Sequence, residues 1–365
     1  MPRRPMRRLA TAIAAAGTIC ALGANVALAA PAATWSHPSS PVPGAFTNDS
    51  PAMATVNFPA PIGQGLMVAW RGTGVIGHIH YRYRTPAVGH WSHMGTIPGL
   101  AALTSSAPAI GGYFDPLGKG AVLAVWAGHV NNRIWYSQGQ TLENGTITWT
   151  TPVTLPTSIA YSTTFDAPTV FFPDHSNNVM VVWRAPFNHV RYSIGPPVGR
   201  GFTWSQSAVV PGNPPTPVSA HCTIDPCTSD TPAVTEETTS TSTGQIFVFW
   251  KQLGTTNLFY STAVDGPSTD WPNLTWTGPT QVPGAITLLG PAASIPTVNA
   301  TGPLLLVYKA PFSAHMRYQT LSGSTWSGVA RVYGSQSDAA PALLKNVLAT
   351  TTPGTFGNII LRVYG

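Results

Sequence analysis

The chain of 365 residues carries 18 Lys and Arg against 12 Asp and Glu, yet only 8% of it is charged, and 35 Gly and 36 Pro punctuate it. That composition excludes a long helical or coiled-coil protein and points to a turn-rich all-β one. The formal charge of +6 does not argue for nucleic acid either, because Arg3, Arg4, Arg7 and Arg8 supply most of it and the remaining chain is close to neutral.

Residues 1–29 read as a secretory signal. The four arginines form a basic start, and "LATAIAAAGTICALGANVAL" is an apolar run too short for a membrane span. Ala27-Leu28-Ala29 offers a small-x-small cleavage site, and Ile19 before Cys20 is too large for a lipoprotein signal. No other long apolar segment follows. The expectation is a secreted, extracellular protein with no membrane span, whose residues 30–365 form one domain.

Beyond the signal the chain repeats itself. A hydrophobic run ending in an aromatic returns five times: "LMVAW" to Trp70, "VLAVW" to Trp126, "VMVVW" to Trp183, "IFVFW" to Trp250 and "LLLVY" to Tyr308. Ahead of the runs stand Pro51, Pro108, Pro168, Pro232 and Pro296, and Pro341 opens a sixth unit. After each run comes a tyrosine strand ending at Tyr81, Tyr136, Tyr192, Tyr260 and Tyr318. A tryptophan strand follows, holding Trp91, Trp149, Trp204, Trp276 and Trp326. Four short strands rich in Val, Ile, Tyr and Trp, separated by Gly, Pro, Asn and Ser, describe one blade of a β-propeller. Of the 12 tryptophans only Trp135 and Trp271 lie outside the two repeat positions, which marks the others as core.

The sixth unit begins at "DAAPALL" and ends with "NIILRVYG", read here as two strands lacking a tyrosine strand. Its tryptophan strand lies at the other end of the chain, where "ATWSHPSSPVPG" around Trp35 matches "FTWSQSAVVPG" around Trp204. Residues 33–44 are therefore expected to complete the last blade and close the ring, which removes free sheet edges. The fold class predicted is all-β, a six-bladed propeller with blades starting near residues 49, 106, 166, 230, 294 and 338.

The longest interval, between Trp183 and Trp250, holds the insertion "PGNPPTPVSAHCTIDPCTSD". In an exported chain Cys222 and Cys227 would form a disulfide closing this loop. Their spacing is neither C-x-x-C nor that of a paired zinc-ligand set. His221 and Asp225 are recognition candidates there; a stapled bulge that resists proteolysis is the plainer reading.

The order of Pro strand, "hhVW", "hhYS" and "G-x-x-W-S/T" resembles the repeats of sialidase-type BNR propellers, whose Asp box S-x-D-x-G-x-x-W is decayed here to "ENGTITW" and "LSGSTW". It is also similar to six-bladed lectins that bind sugars such as fucose between blades. The resemblance implies a glycan-facing propeller, with extracellular or cell-surface glycans as partners and no cofactor.

Propeller geometry sorts the charged residues. Loops joining strands two and three, and those joining one blade to the next, share an upper face. It receives Asp49, Asp166, Asp230 and Asp338 just before the opening prolines, and Arg71, Arg184, Lys251 and Lys309 just after the aromatic runs. Glu143, Glu236, Glu237, Asp115, Asp174, Asp265 and Asp270 fall on the lower face. A glycosidase needs two facing carboxylates. The glutamates are on the wrong side, "NDSPAM" lacks the arginine that the sialidase resemblance implies before the first proline, and Asp before Pro is a natural Asx-turn former. Asp166 and Asp230 are the remaining catalytic candidates.

For binding, strand three carries polar pairs on one face: His78/His80, Arg133/Trp135, His189/Arg191, Asn257/Phe259 and His315/Arg317. With Arg71, Arg184 and Lys309, the pairs of blades one, three and five are the ligand-binding candidates. The competing structural role is a bridge between neighbouring blades through backbone carbonyls. His78, His80, His90 and His93 lack carboxylate or Cys partners at ligand spacing, so no metal is expected. Three readings stand: a non-catalytic lectin-like propeller first, then a divergent glycoside hydrolase, then an extracellular protein-interaction scaffold.

Overall fold

The computed structural model describes residues 35 and 40–364 except 75–76, 88, 175, 199–200, 211–227, 239–242, 267–268, 270, 272, 297–301 and 354–356. Every blade sheet is antiparallel, and there are six. Blade one orders Ala52–Asn57, Gln64–Arg71, Gly77–Arg84 and Gly95–Thr96 from inside outward. Blade two orders Ala109–Phe114, Gly120–Ala127, Ile134–Thr141 and Ile147–Trp149. Blade three runs Thr169–Phe171, Val179–Arg184, Val190–Gly195 and Ala208–Val209, and blade four Ala233–Thr238, Gly244–Lys251, Asn257–Asp265 and Trp276–Ile286. Blade five begins with Ala292–Ser294, Leu304–Lys309 and His315–Ser322, whose outer neighbours are Thr325–Trp326 and Ala330–Gln336.

Blade six corrects the strand tally. Ala342–Leu344, Val347–Thr351 and Gly357–Val363 are three strands, and Ser40–Thr47 pairs with the last of them as the fourth. "NIILRVY" is thus the third strand, and Leu361 holds the place that tyrosine takes elsewhere: Thr351 faces Ile359 across the ladder as Arg71 faces Ile79. Strand two was overlooked because "VLATT" ends without an aromatic. A second correction concerns blade five, whose opening proline is Pro291, directly before Ala292–Ser294, and not Pro296. Six X-Pro steps, at Pro51, Pro108, Pro168, Pro232, Pro291 and Pro341, surround one axial channel.

The repeated aromatics make the blade-to-blade contacts. The tyrosine of one blade's third strand meets the tryptophan at the outer edge of the next blade edge-on or tilted: Tyr81–Trp149 at 5.5 Å, Tyr136–Trp204 at 5.6 Å and Tyr192–Trp276 at 5.5 Å between ring centroids. Tyr260–Trp326 at 5.9 Å and Tyr318–Trp35 at 6.0 Å continue the series. Leu361 and Trp91 share a cluster at the sixth junction. Each aromatic pair contributes about 0.5–1.5 kcal/mol beyond the area it buries. Trp35 therefore occupies the outer-strand position of blade six, which is the ring closure expected from its sequence match. The strand-two aromatics Trp70, Trp126, Trp183, Trp250 and Tyr308 are fully buried inside the blades.

Candidate functional site

Every blade opens through the same turn. Thr47, Thr104, Thr164, Thr228, Thr287 and Ser337 stand four residues before the opening proline, and all are fully buried. Each hydroxyl accepts the backbone N–H two residues on, from Asp49, Ser106, Asp166, Asp230, Leu289 and Ala339 at 3.1–3.3 Å. The turn is built by Thr or Ser, and the Asx turn expected of the aspartates is not what forms it. The carboxylates of Asp49, Asp166 and Asp230 are released for another task.

That task is an ion pair within the blade. Arg71 Nε lies 2.5 Å from Asp49 Oδ2, Arg184 Nη1 donates to Asp166 Oδ2 at 2.7 Å, and Lys251 Nζ to Asp230 Oδ2 at 2.9 Å. The same cations reach into the following blade's opening turn. Arg71 donates to Ser105 O at 3.0 Å, Arg184 to Ser229 O at 3.0 Å and Lys251 to Leu288 O at 3.3 Å. Neutral partners complete each group: Asn48 Oδ1 accepts from Arg71 at 2.7 Å, and Asn188 Oδ1 accepts from both Nε and Nη2 of Arg184 at 2.9 and 2.6 Å. Arg71, Arg184 and Lys251 are therefore blade-bridging residues, the structural role weighed against ligand binding for the basic positions. In blade five Lys309 stands half-buried at the equivalent place, but its own turn carries Leu289 where blades one, three and four carry aspartate. Asp338 belongs to the turn that opens blade six.

In blades one, three and four these groups stand in the turns that lead into the wall of the channel, a cavity of about 330 Å³ lined by the neighbouring Ser50, Ala167 and Thr231. Its wall is made of Ala, Pro, Gly, Ser, Thr and larger apolar residues, and none of the lining residues titrates. The chemistry is confined to the rim. Burial holds the Asp166 carboxyl above its ordinary range against the pull of Arg184, and the Asp230 carboxylate adds to the rise. Burial likewise lifts Asp49 against Arg71. Arg184 links the two carboxylates across neighbouring blades, since it also donates to Ser229 O, and Ser229 Oγ donates to Asp230 Oδ2 at 2.9 Å.

The strand-three pairs point into the grooves toward the preceding blade, since the alternating residues Ile79, Val190 and Met316 pack the other way. His80 Nδ1 meets Thr96 Oγ1 at 3.0 Å, and its pKa is lowered by burial and by His78, which is exposed. Arg191 donates to Ser207 Oγ at 2.7 Å, and its guanidinium lies 4.5 Å from the centre of the Tyr161 ring of the loop entering blade three. His189 Nδ1 is buried without a hydrogen-bond partner. His315 lies 3.0 Å from Arg331, which itself sits opposite Arg317 in the ladder.

Sequence reasoning missed Asn48, Asn188, Tyr161, Phe187 and Arg331 around these groups. "RAPFNH" and "KAPFSAH" hold the signal for Phe187 and its counterpart Phe312, repeated apolar residues where no core needs them. Cys222, Cys227, His221, Asp225 and Asp270, with the signal segment, lie outside the described residues. Among the described residues no group of three or more His, Cys, Asp or Glu is placed to hold a metal ion, and no helix is long and apolar enough to cross a membrane.

A scan against protein-family models finds no match, and no curated protein sequence matches the chain. Solved structures do. An α-L-arabinanase of Penicillium chrysogenum, complexed with arabinobiose, superposes with a TM-score of 0.55 at 10% identity, covering 91% of this chain and 98% of that one. The GH93 α-L-arabinofuranosidase of Fusarium graminearum, also complexed with arabinobiose, gives 0.53 at 9% identity over 89% and 97%. The NanB sialidase of Streptococcus pneumoniae gives 0.53 at 10% identity over 87% and 68%. The chain is a six-bladed β-propeller with the architecture that sialidases and GH93 enzymes share.

Proposed function

We propose that the protein acts on carbohydrate as a divergent glycoside hydrolase, with its chemistry at the rim of the axial channel. The observation that carries this reading is the linkage of Asp166 and Asp230 across adjacent blades: Arg184 donates to Asp166 Oδ2 and to Ser229 O, and Ser229 Oγ donates to Asp230 Oδ2, which Lys251 also holds. Burial raises Asp166, which suits it to donate a proton to a leaving oxygen; Asp230, held by Lys251, takes the complementary part of base or nucleophile. Proteins of the same architecture, named for arabinan, arabinofuranoside and sialoside cleavage, favour turnover over the lectin reading. The same reading keeps the protein outside the cell, on the strength of the basic, apolar and small-residue order of residues 1–29, and joins Cys222 to Cys227.

One observation favours binding without turnover as the second reading: Asp49, Asp166 and Asp230 are each engaged by a cation. Under it, His78, His80, His189, Arg191, His315 and Arg317 would take sugars in the grooves between blades, with Arg71, Arg184 and Lys309 at the rim. A panel of chromogenic glycosides run beside a glycan array separates the two. The expected outcome is turnover that falls about a hundredfold or more in Asp166→Asn and in Asp230→Asn. Glycan binding with no turnover on any glycoside reverses the order.

A further inference from the structure

Two aromatic side chains on the upper face stand where the backbone disfavours them. Phe187, in the loop between strands two and three of blade three, has φ 66°, and Tyr161, in the loop entering that blade, has φ 58°. The left-handed region is disfavoured for a bulky residue, and such strain persists only where the surroundings enforce it. Here they do. Trp183 Nε1 donates to Tyr161 O at 2.9 Å, and Ser207 donates to Ala160 O at 2.5 Å. Asn188, also left-handed at φ 68°, is held by Arg184 and passes its carbonyl to Thr228 N at 2.8 Å. Blade four carries Gly254 at the position of Phe187, with φ 75°, the residue this backbone asks for. Blade five repeats the phenylalanine as Phe312, at φ 54°.

Neither side chain is used in the core. Phe187 is 72% and Tyr161 48% exposed, and their rings lie 6.3 Å apart in an edge-on arrangement. Phe165, 61% exposed, adjoins Asp166 in the chain. The platform therefore continues into the carboxylate rim through Asn188, Arg184 and Asp166.

We propose that Tyr161 and Phe187 form a stacking subsite for a neutral sugar ring of a glycan whose neighbouring residue lies at the Asp166–Asp230 rim. The inference rests on the carbohydrate reading above. A sugar ring has an apolar C–H face for the aromatics and equatorial hydroxyls at its edge. His189, half-buried, stands on the strand face it shares with Arg191, which looks toward Tyr161. A neutral ring is inferred because, among the described residues, the Arg184 charge is matched by Asp166 and the Arg191 guanidinium is turned onto Ser207 and the Tyr161 ring.

The test is native gel electrophoresis through linear arabinan, xylan or polysialic acid, together with turnover on arabinotetraose and xylotetraose. Retardation is expected in at least one neutral polysaccharide and not in polysialic acid. It should weaken roughly tenfold in apparent Kd in Phe187→Ala and in Tyr161→Ala, and stay unchanged in Phe114→Ala on the lower face. Phe187→Gly, which relieves the strain, should melt no lower than the parent and still lose retardation, so a folding defect cannot imitate the result. Asp166→Asn should abolish turnover and keep retardation. Retardation that ignores Phe187 and Tyr161, retardation in polysialic acid alone, or none in any gel overturns the platform. Retardation that depends on Phe187 without turnover on any glycoside upholds it and removes the hydrolase reading instead.

Discussion

At the scale of single residues, the opening turns show how little separates a structural hydroxyl from a functional carboxylate. Thr228 donates to Asp230 O at 2.9 Å while accepting from Asp230 N at 3.1 Å, with no access to water. Thr228→Val should cost about 1–3 kcal/mol, read from the urea midpoint, because it orphans buried backbone groups. The carboxylates behave differently. Burial lifts Asp49 and Asp166 above the ordinary value of 3.8, so the folded state holds their protons more tightly than the unfolded chain. Their stabilising contribution is fully present below 3.8 and is lost as pH rises through the raised folded values. Melting curves between pH 7 and pH 4 should therefore show a gain on acidification that the double variant Asp49→Asn, Asp166→Asn loses. His80 runs the other way: its pKa is lowered, so its contribution holds above 6.5 and disappears as pH falls through the folded value. The aspartates were legible in the sequence by their place before proline, but their partners were not. Thr is common throughout this chain, and nothing marks Thr47 or Thr164 until the backbone around them is known. The strained phenylalanines were hidden for a similar reason, since an apolar residue in a loop declares neither its exposure nor its φ.

At the scale of the strand, aromatic spacing carried most of the fold. Tyrosine and tryptophan recur because each pair spans a blade junction, and the match of the segment around Trp35 to that around Trp204 ties Trp35 to the far end of the chain. The pattern failed where the aromatic was replaced. Leu361 fills the tyrosine position and Thr351 ends a strand two that lacks tryptophan, so blade six read as incomplete. Pro296 stood in for Pro291 because both precede small residues, and only pairing of Ala292–Ser294 with the next strand separates them. Inner strands impose a further condition that sequence barely signals. A Cβ on Gly112 would lie 1.7 Å from Thr55 O of the neighbouring blade. Gly112→Ala must push two inner strands apart; we expect a loss of 3 kcal/mol or more, at the upper end of overpacking costs, visible as a lowered urea midpoint.

At the scale of the whole molecule, six similar wedges can close only if the last meets the first. Ser40–Thr47 does this by pairing with Gly357–Val363, and Trp35 seats against Tyr318 and Tyr364. Removing residues 35–47 should leave an open edge on Gly357–Val363, measurable as loss of the cooperative melt and as aggregation in size-exclusion chromatography. The rim chemistry would go with it, because the Asp49–Arg71 pair begins directly after Thr47.

The pairing of Ser40–Thr47 with Gly357–Val363 also fixes an order of events in time. The strand Ser40–Thr47 has its mate on the far side of five intervening sheets, so it must wait through their synthesis. A message cut short before codon 357 therefore yields wedges without a clasp, and the cell's proteases meet an unlatched circle, not a slightly shorter one.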